Sequence, residues 1–153
     1  MDPVTLQVQC LRKGTHDMPD HSNSADLWEE SDLISIYTRA QALADGVLVG
    51  ITPWAREAGF TIPVAVTAAV WAILEPSVAL RQLGQSVTGR AWDLLMILRS
   101  TVRRAGKTDR VHFAPLFVLD PQQLTPQPVP LWALCGPGDE GEPVLTVMCE
   151  GED

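Results

Sequence analysis

The segment from Ser86 to Gly106 is the strongest constraint on the fold of this chain. Ser86 is a good N-cap and Gly106 is a good helix stop, so the sequence predicts one long helix between them. Its apolar side chains fall on one stripe when the segment is wound at about 100° per residue. A helix with a single apolar stripe must bury it against another layer of structure. The stripe consists of Val87, Ala91, Leu94, Leu95, Leu98, Val102 and Ala105.

Three segments after this helix are expected to form that layer as strands. They are rich in Val, Leu and aromatic residues, are bounded by Pro, Gly and Asp, and read "RVHFAPLFVLD", "VPLWALCG" and "PVLTVMCE". The last two are joined by "GPGDEGEP", which we interpret as a hairpin turn because Gly and Pro suit a turn and carboxylates suit solvent. A phosphate-binding loop would be followed by a helix, but a strand candidate follows this one. A calcium loop would place Asp or Asn at alternate positions, which this loop does not do.

Shorter elements are expected before the long helix. Thr38 and Gln41 form a capping-box pattern, and Gly46 suits the end of the short helix that this pattern begins. The next segment, "VLVGI", is typical of a short buried strand.

Two further helices are predicted between residues 52 and 75. Thr52 is the expected N-cap of the first, with Pro53 at its first position and Gly59 at its end. The second covers "TIPVAVTAAVWAILE", where Pro76 ends it. This segment is apolar nearly all round, which is typical of a buried helix.

Length and composition indicate one globular domain. The chain has 153 residues, of which 46% are hydrophobic, enough for a packed core. Residues 1–32 are expected to be an N-terminal extension, a strand candidate followed by a polar arm that contains Trp28. Residues 33–150 are expected to form a single α+β domain, with several helices packed on a small antiparallel sheet that includes the C-terminal hairpin.

The net charge of −8 argues against nucleic acid or an anionic membrane as a partner, because both are densely negative. The most apolar segment, residues 58–74, is short for a membrane span and is interrupted by Gly59 and Pro63. The start of the chain has no apolar core of a secretory signal. The odd set of Cys10, Cys135 and Cys149 indicates no disulfide framework, so we expect a reducing cytoplasm.

No sequence motif for nucleophilic, nucleotide-dependent or metal-dependent catalysis is present, and no cofactor or metal is expected. His16 and His21 lie in the polar arm, and His112 lies in a strand candidate, where a structural role is the simplest interpretation. An alternative is a small-ligand protein or enzyme that uses a cleft between helix 86–105 and the sheet, near His112 or Asp93. Whether the protein is an enzyme stays open, although the residues favour a protein that is not.

A basic cluster lies at the end of the long helix and just beyond it. Cations favour helix C-termini, where the last carbonyls are unpaired, and this is the simplest explanation of the cluster. The alternative is an anion-binding site, or a nucleic-acid accessory factor that uses Arg99, Arg103 and Arg104, although no aromatic side chains alternate with these cations to stack on bases. The cluster consists of Arg99, Arg103, Arg104, Lys107 and Arg110.

Three stretches in this order resemble a family of small uncharacterised bacterial proteins that is named only as a domain of unknown function. They are "SIYTRAQALADGVLVGIT", "AREAGFTIPVAVTAAVWA" and "GPGDEGEPVLTVM", and "GRAWDLLMILR" also fits, so the resemblance covers residues 33–150. Gly50 stands where the family pattern has an acidic residue. The resemblance implies no established activity and no catalytic residues, but it implies a setting on plasmids, phages and integrated elements.

These observations lead to one main hypothesis. The chain is expected to be a non-enzymatic acidic binding protein of a mobile element, acting by contact with a host or phage protein that has a basic surface. Host defence or replication machinery would be the target. The acidic residues expected to bind this partner are Asp139, Glu140 and Glu142.

Overall fold

The structure, a computed structural model, describes residues 37–152. The strand candidate and the polar arm predicted within residues 1–32 therefore lie outside the described residues. The helices are α1 (Arg39–Ala44), α2 (Thr52–Glu57), α3 (Ala68–Leu74), α4 (Val78–Gln82) and α5 (Val87–Ala105). The strands are β1 (Leu48–Gly50), β2 (Val64–Thr67), β3 (Arg110–Phe113), β4 (Leu116–Phe117), β5 (Gln127–Pro128), β6 (Leu131–Pro137) and β7 (Pro143–Cys149).

Five of these strands form one mixed sheet in the order β1-β2-β7-β6-β3. Strands β2 and β7 are parallel, and the other neighbours are antiparallel. Strands β4 and β5 pair separately as a two-stranded antiparallel ribbon. The predicted α+β class and the C-terminal hairpin β6–β7 are confirmed, whereas the prediction of a wholly antiparallel sheet is corrected by the β2–β7 pair.

Helix α5 packs on one face of this sheet, as its apolar stripe predicts. Its N-cap is Ser86, whose hydroxyl accepts a hydrogen bond from the amide of Gly89, and it ends at Gly106. The middle of the stripe is fully buried, whereas Val102 is half-buried and Ala105 is exposed. The main core also contains alternate residues of the strands. Its buried α5 and sheet residues include Ala91, Leu94, Leu95, Leu98, Val111, Phe113, Leu131, Ala133, Leu145 and Val147.

Arg90 lies among these buried residues and is only 4% exposed. Its Nε donates to Gln85, and its two terminal nitrogens donate to the carbonyls of Ile73 and Val118. The guanidinium also lies 5.7 Å from the centre of the Phe117 ring. Burial lowers the pKa of Arg90. This side chain therefore ties the start of α5 to the end of α3 and to the segment after β4.

Helix α1 covers part of the opposite face of the sheet. The guanidinium of Arg39 donates to the hydroxyl of Thr146 at 2.7 Å and to the carbonyl of Leu145 at 3.3 Å, both in β7. Thr146 alternates with core residues along the strand, so its side chain lies on the face away from α5. The predicted capping box is confirmed, because Thr38 and Gln41 exchange side-chain and backbone hydrogen bonds at the start of α1.

The segment predicted as one buried helix over "TIPVAVTAAVWAILE" is instead a strand followed by a helix. Residues Val64–Thr67 form β2, and the hydroxyl of Thr67 caps α3 by accepting from the amide of Val70. Strand β2 lies between β1 and β7, and three of its four residues are buried. A strand buried on both faces is a continuous apolar run, so periodicity cannot distinguish it from a buried helix. Only the predicted end before Pro76 is right.

Thr52 is not the N-cap of α2, as the sequence analysis expected. The capping position is Ile51, which provides no side-chain hydrogen bond. The Thr52 hydroxyl instead donates to the carbonyl of Val64 and accepts from its amide, so it joins α2 to β2. The strand predicted over "RVHFAPLFVLD" is split into β3 and β4 by Ala114 and Pro115, and the helix α4 was not predicted.

Within residues 37–152, no helix has the length and hydrophobicity that crossing a bilayer would require.

Candidate functional site

The loop "GPGDEGEP" is a turn, as expected, and it uses its own carboxylates. Strands β6 and β7 pair up to Pro137 and Pro143, so the turn itself is residues 138–142. The Glu142 carboxylate accepts from the amide of Glu140 at 3.0 Å. It also lies in the space into which a side chain at Gly138 would extend. This carboxylate is therefore part of the turn.

The Asp139 carboxylate binds the N-terminus of α1. Its two oxygens accept from the amides of Arg39 and Ala40 at 2.7 and 2.8 Å. These amides belong to the first turn of a helix and have no partner within it, and a carboxylate there also interacts well with the helix dipole. Asp139 thus holds α1 on the sheet from a position about a hundred residues away in sequence.

The three predicted acidic residues lie together in one turn. Two of their three carboxylates form hydrogen bonds within the protein. Asp139 caps α1, and Glu142 closes the turn. Among these three residues, Glu140 is the one whose side chain forms no hydrogen bond with the described residues. The prediction that these residues bind a partner stays a prediction.

The three predicted anion-binding arginines lie together on the solvent-facing side of α5. Arg99, Arg103 and Arg104 line a surface groove of about 280 Å³, here called the α5 groove, together with Met96 and Ser100. Residues three or four positions apart on a helix are neighbours on its surface, which brings these side chains side by side.

Arg99 is the most enclosed cation of the α5 groove. Its guanidinium packs over Gly59, and a methyl group at Gly59 would lie 3.5 to 3.6 Å from it. Gly59 has a φ of +94°, which favours glycine in any case. The Nε of Arg99 is buried and has no hydrogen-bond partner among the described residues. A buried donor without a partner typically costs about 1–3 kcal/mol.

The other polar groups of the groove are also donors. Arg104 donates to the hydroxyl and the carbonyl of Ser100, at 3.0 and 3.2 Å. The Ser100 hydroxyl therefore acts as an acceptor towards Arg104, and its own hydrogen points elsewhere. The side chain of Arg103 is exposed and forms no hydrogen bond with the described residues. The groove thus contains several N–H and O–H donors and no side-chain carboxylate.

Met96, which lines the α5 groove, and its neighbour in sequence, Ile97, are both large, apolar and exposed. Met96 is 45% exposed and Ile97 is 42% exposed, both in the middle of α5. Clusters of exposed apolar side chains with a polar rim often mark binding surfaces. We call the combined surface the α5 contact face; it consists of Met96, Ile97, Arg99, Ser100, Arg103 and Arg104.

The sequence analysis missed Met96, Ser100 and Gly59. Helical periodicity contains the signal for the first two, because residues 96, 100, 103 and 104 repeat at one to two turns on the side opposite the apolar stripe. No local signal points to Gly59, which reaches Arg99 only through the packing of the loop after α2.

The charge of the described residues differs from that of the whole chain. Residues 37–152 contain eleven Asp and Glu and nine Lys and Arg, for a net charge of −2, whereas the whole chain carries −8. Most of the excess acid lies in residues 1–36, which contain seven carboxylates and two cations. The charge argument against an anionic ligand is therefore weaker for the folded part than for the chain as a whole.

His112 lies on the face of the sheet away from α5. It alternates with Val111 and Phe113, which are in the core under α5. Its ring stacks on Trp132 at 6.4 Å between centres, and the guanidinium of Arg110 lies 4.3 Å from the same indole. Asp93 is exposed on α5. The described residues therefore do not bring His112 and Asp93 to one cleft between α5 and the sheet.

Metal-ligating and nucleophilic side chains form no cluster within residues 37–152. No group of three or more His, Cys, Asp and Glu in this range could hold a metal ion. Cys135 is buried in the core, and Cys149 is half-buried at the end of β7. Burial raises the pKa of the Cys149 thiol, and the nearby Glu152 raises it further, which lowers the reactivity of this thiol at neutral pH.

A family model described as "Family of unknown function (DUF6573)" matches residues 24–153. The match includes residues 24–32, which the sequence analysis placed in the N-terminal extension. Neither the curated proteins nor the solved structures include a match to this chain.

Proposed function

The chain belongs to this family of unknown function, and we propose from the geometry of the α5 groove that it acts by contact with another protein, through the α5 contact face. The observation that supports the proposal is the assembly of three arginines and Ser100 around one groove beside exposed Met96. Such a surface suits an acidic segment of a partner that also carries an apolar residue.

The α5 contact face suits a protein partner better than nucleic acid. Exposed apolar side chains beside the arginines would contact an apolar residue of a peptide, but they gain little from a phosphate backbone. The groove is lined by no aromatic side chain on which a base could stack. The net charge of −8 also repels a long polyanion, at a distance that depends on salt.

The turn of residues 138–142, here called the acidic turn, remains a second proposed contact surface. It would bind a partner with a basic surface through Glu140. The resemblance to proteins of mobile elements makes a host defence or replication protein a reasonable partner for either surface. Both proposals need binding alone and assign no catalytic step to this chain.

Site-specific photo-crosslinking in the native cell tests which surface is used. A photo-crosslinking residue is placed at Met96, at Glu140, or at Val78, an exposed apolar residue of α4 that serves as the control. We expect a discrete protein adduct from Met96 and none from Val78. We also expect Arg103→Glu to abolish the Met96 adduct, because it reverses one charge of the contact face.

Each alternative gives a different result. A nuclease-sensitive adduct at Met96 would assign the α5 contact face to nucleic acid. A protein adduct at Glu140 alone would favour the acidic turn. Equal adducts at Met96 and Val78 would show that the α5 contact face has no special role.

A further inference from the structure

The polar lining of the α5 groove consists of donors, which restricts the ligand to an acceptor. The side chains of Arg99 and Arg103 form no hydrogen bond with the described residues, and the Ser100 hydroxyl retains its own hydrogen for donation. Three side chains in one groove thus have unused donors. A ligand that satisfies all three needs several acceptor atoms on one small group, together with negative charge.

Arg99 is placed to bind such a group from below. The guanidinium lies over Gly59, close enough that a methyl group there would touch it. Its Nε is buried, so a ligand in the groove would be bound through the terminal nitrogens. Arginine presents these donors as a planar fork, which matches two oxygens of a phosphate or carboxylate.

A phosphomonoester fits this donor set better than a carboxylate does. It carries a charge of about −1.5 to −2 at neutral pH and three strong acceptor oxygens, whereas a carboxylate has one charge and two oxygens. Arg99, Ser100 and Arg103 supply one donor site for each of the three oxygens. A phosphodiester of nucleic acid has a single charge and only two such oxygens.

We propose that the α5 groove recognises a phosphorylated serine or threonine of the partner protein, with an apolar neighbour of that residue on Met96. This inference rests on the proposed protein contact and names its ligand. Arg99 and Arg103 bind the phosphate oxygens, and Ser100 donates to the third. Arg104, which is bonded to Ser100, orients that hydroxyl.

Titration of the full chain, followed by the NMR chemical shifts of its backbone amides, tests this inference. The probes are a short peptide with phosphoserine beside leucine and its unphosphorylated twin. We expect the phosphopeptide to shift the amides of residues 96–104 and of Gly59, and the twin to shift neither. The phosphopeptide should bind about tenfold more weakly to Arg99→Lys, because lysine keeps the charge and loses the fork.

Two variants control this result. Arg103→Lys changes an exposed side chain and should leave the fold intact. It therefore keeps the binding test valid if Arg99→Lys is unstable. Arg81→Lys in α4 makes the same change away from the groove and should leave the affinity unchanged. Equal binding of the two peptides, or full affinity in both Arg99→Lys and Arg103→Lys, would overturn the inference.

Further probes identify the source of the phosphate. Inorganic phosphate should displace the phosphopeptide only at much higher concentration, because it lacks the apolar contact. If inorganic phosphate binds as tightly as the phosphopeptide, the peptide is not the ligand. Tighter binding of a single-stranded oligonucleotide would assign the groove to nucleic acid and would also overturn the inference.

The two proposals can fail separately. If treatment of the cell lysate with phosphatase before irradiation leaves the Met96 adduct intact, the protein contact stands and the phosphate inference fails. If the phosphopeptide binds the groove but Met96 gives no adduct in cells, the groove recognises phosphate and the proposed contact fails.

Discussion

Arginine residues near the two ends of α5 have opposite environments. At the N-terminal end, Arg90 is buried and its donors bind Gln85 and two backbone carbonyls. At the C-terminal end, Arg99 has a buried Nε without a partner, and Arg103 is exposed to solvent. Arg90 links structural elements, whereas Arg99 and Arg103 have donors without a partner among the described residues, and we propose that these bind an external ligand.

This difference shows that charge in the sequence does not by itself indicate function. The three acceptors around Arg90 are neutral, so its charge is stabilised by dipoles inside the fold. The same is true of the acidic turn, because the Asp139 carboxylate accepts hydrogen bonds from the amides at the start of α1. Function is more readily inferred where a charged group has donors or acceptors that the fold leaves unused.

The largest expected effect is that of Arg90→Leu. It removes the donors to Gln85 and to the carbonyls of Ile73 and Val118 and leaves these acceptors without their partner, so the free energy of unfolding should fall by about 3 kcal/mol. Chemical denaturation measures this loss, and Arg103→Leu is the control, with a change within about 0.5 kcal/mol. Similar losses in both variants would remove the distinction between the two ends of α5.

Asp139→Ala should have the next largest effect. Loss of two charge-assisted hydrogen bonds at the start of α1 should lower the free energy of unfolding by about 1.5 kcal/mol. Glu140→Ala, in the same turn, should change it by less than about 0.5 kcal/mol. If the two variants are equally stable, Asp139 does not hold α1, and its carboxylate remains available to a partner.

The sequence predicts the parts of this fold that depend on local contacts. Both ends of α5 follow from Ser86 and Gly106, and the turn between β6 and β7 follows from its glycines and prolines. The capping box of α1 is likewise a contact between Thr38 and Gln41, three residues apart.

The features that the sequence could not predict depend on distant partners. Val64–Thr67 becomes a strand because β1 and β7 lie on either side of it, and its apolar run carries no period that shows this. Asp139 is a helix cap only because the hairpin brings it to α1. The arginines of the candidate site are visible in the sequence, but their unused donors are visible only after the other contacts are known.

Gly59→Ala should separate the role of a glycine in backbone geometry from its role beneath Arg99. A side chain at a φ of +94° should cost about 1 kcal/mol of stability, whereas the added methyl group would lie in ordinary van der Waals contact with the guanidinium, 3.5 to 3.6 Å away. Gly46→Ala is the matched control, because Gly46 has a φ of +77° and nothing within 4 Å of the added methyl. Both variants should lose similar stability, and neither should weaken phosphopeptide binding, because the methyl group leaves the guanidinium in place. Weaker binding by Gly59→Ala alone would show that the backbone conformation at Gly59, and not only the space there, positions Arg99 for the groove.

Arg103→Gln should have the smallest effect on stability. It therefore gives the clearest test of whether Arg103, unlike Arg90, serves binding and not the fold. The side chain is exposed and forms no hydrogen bond with the described residues, so the free energy of unfolding should change by less than about 0.5 kcal/mol. The same change should weaken phosphopeptide binding about tenfold, because it removes a charged donor from the groove. Denaturation and titration of one protein sample measure both quantities. A loss of stability without a loss of binding would place Arg103 with Arg90, as a residue that serves the fold.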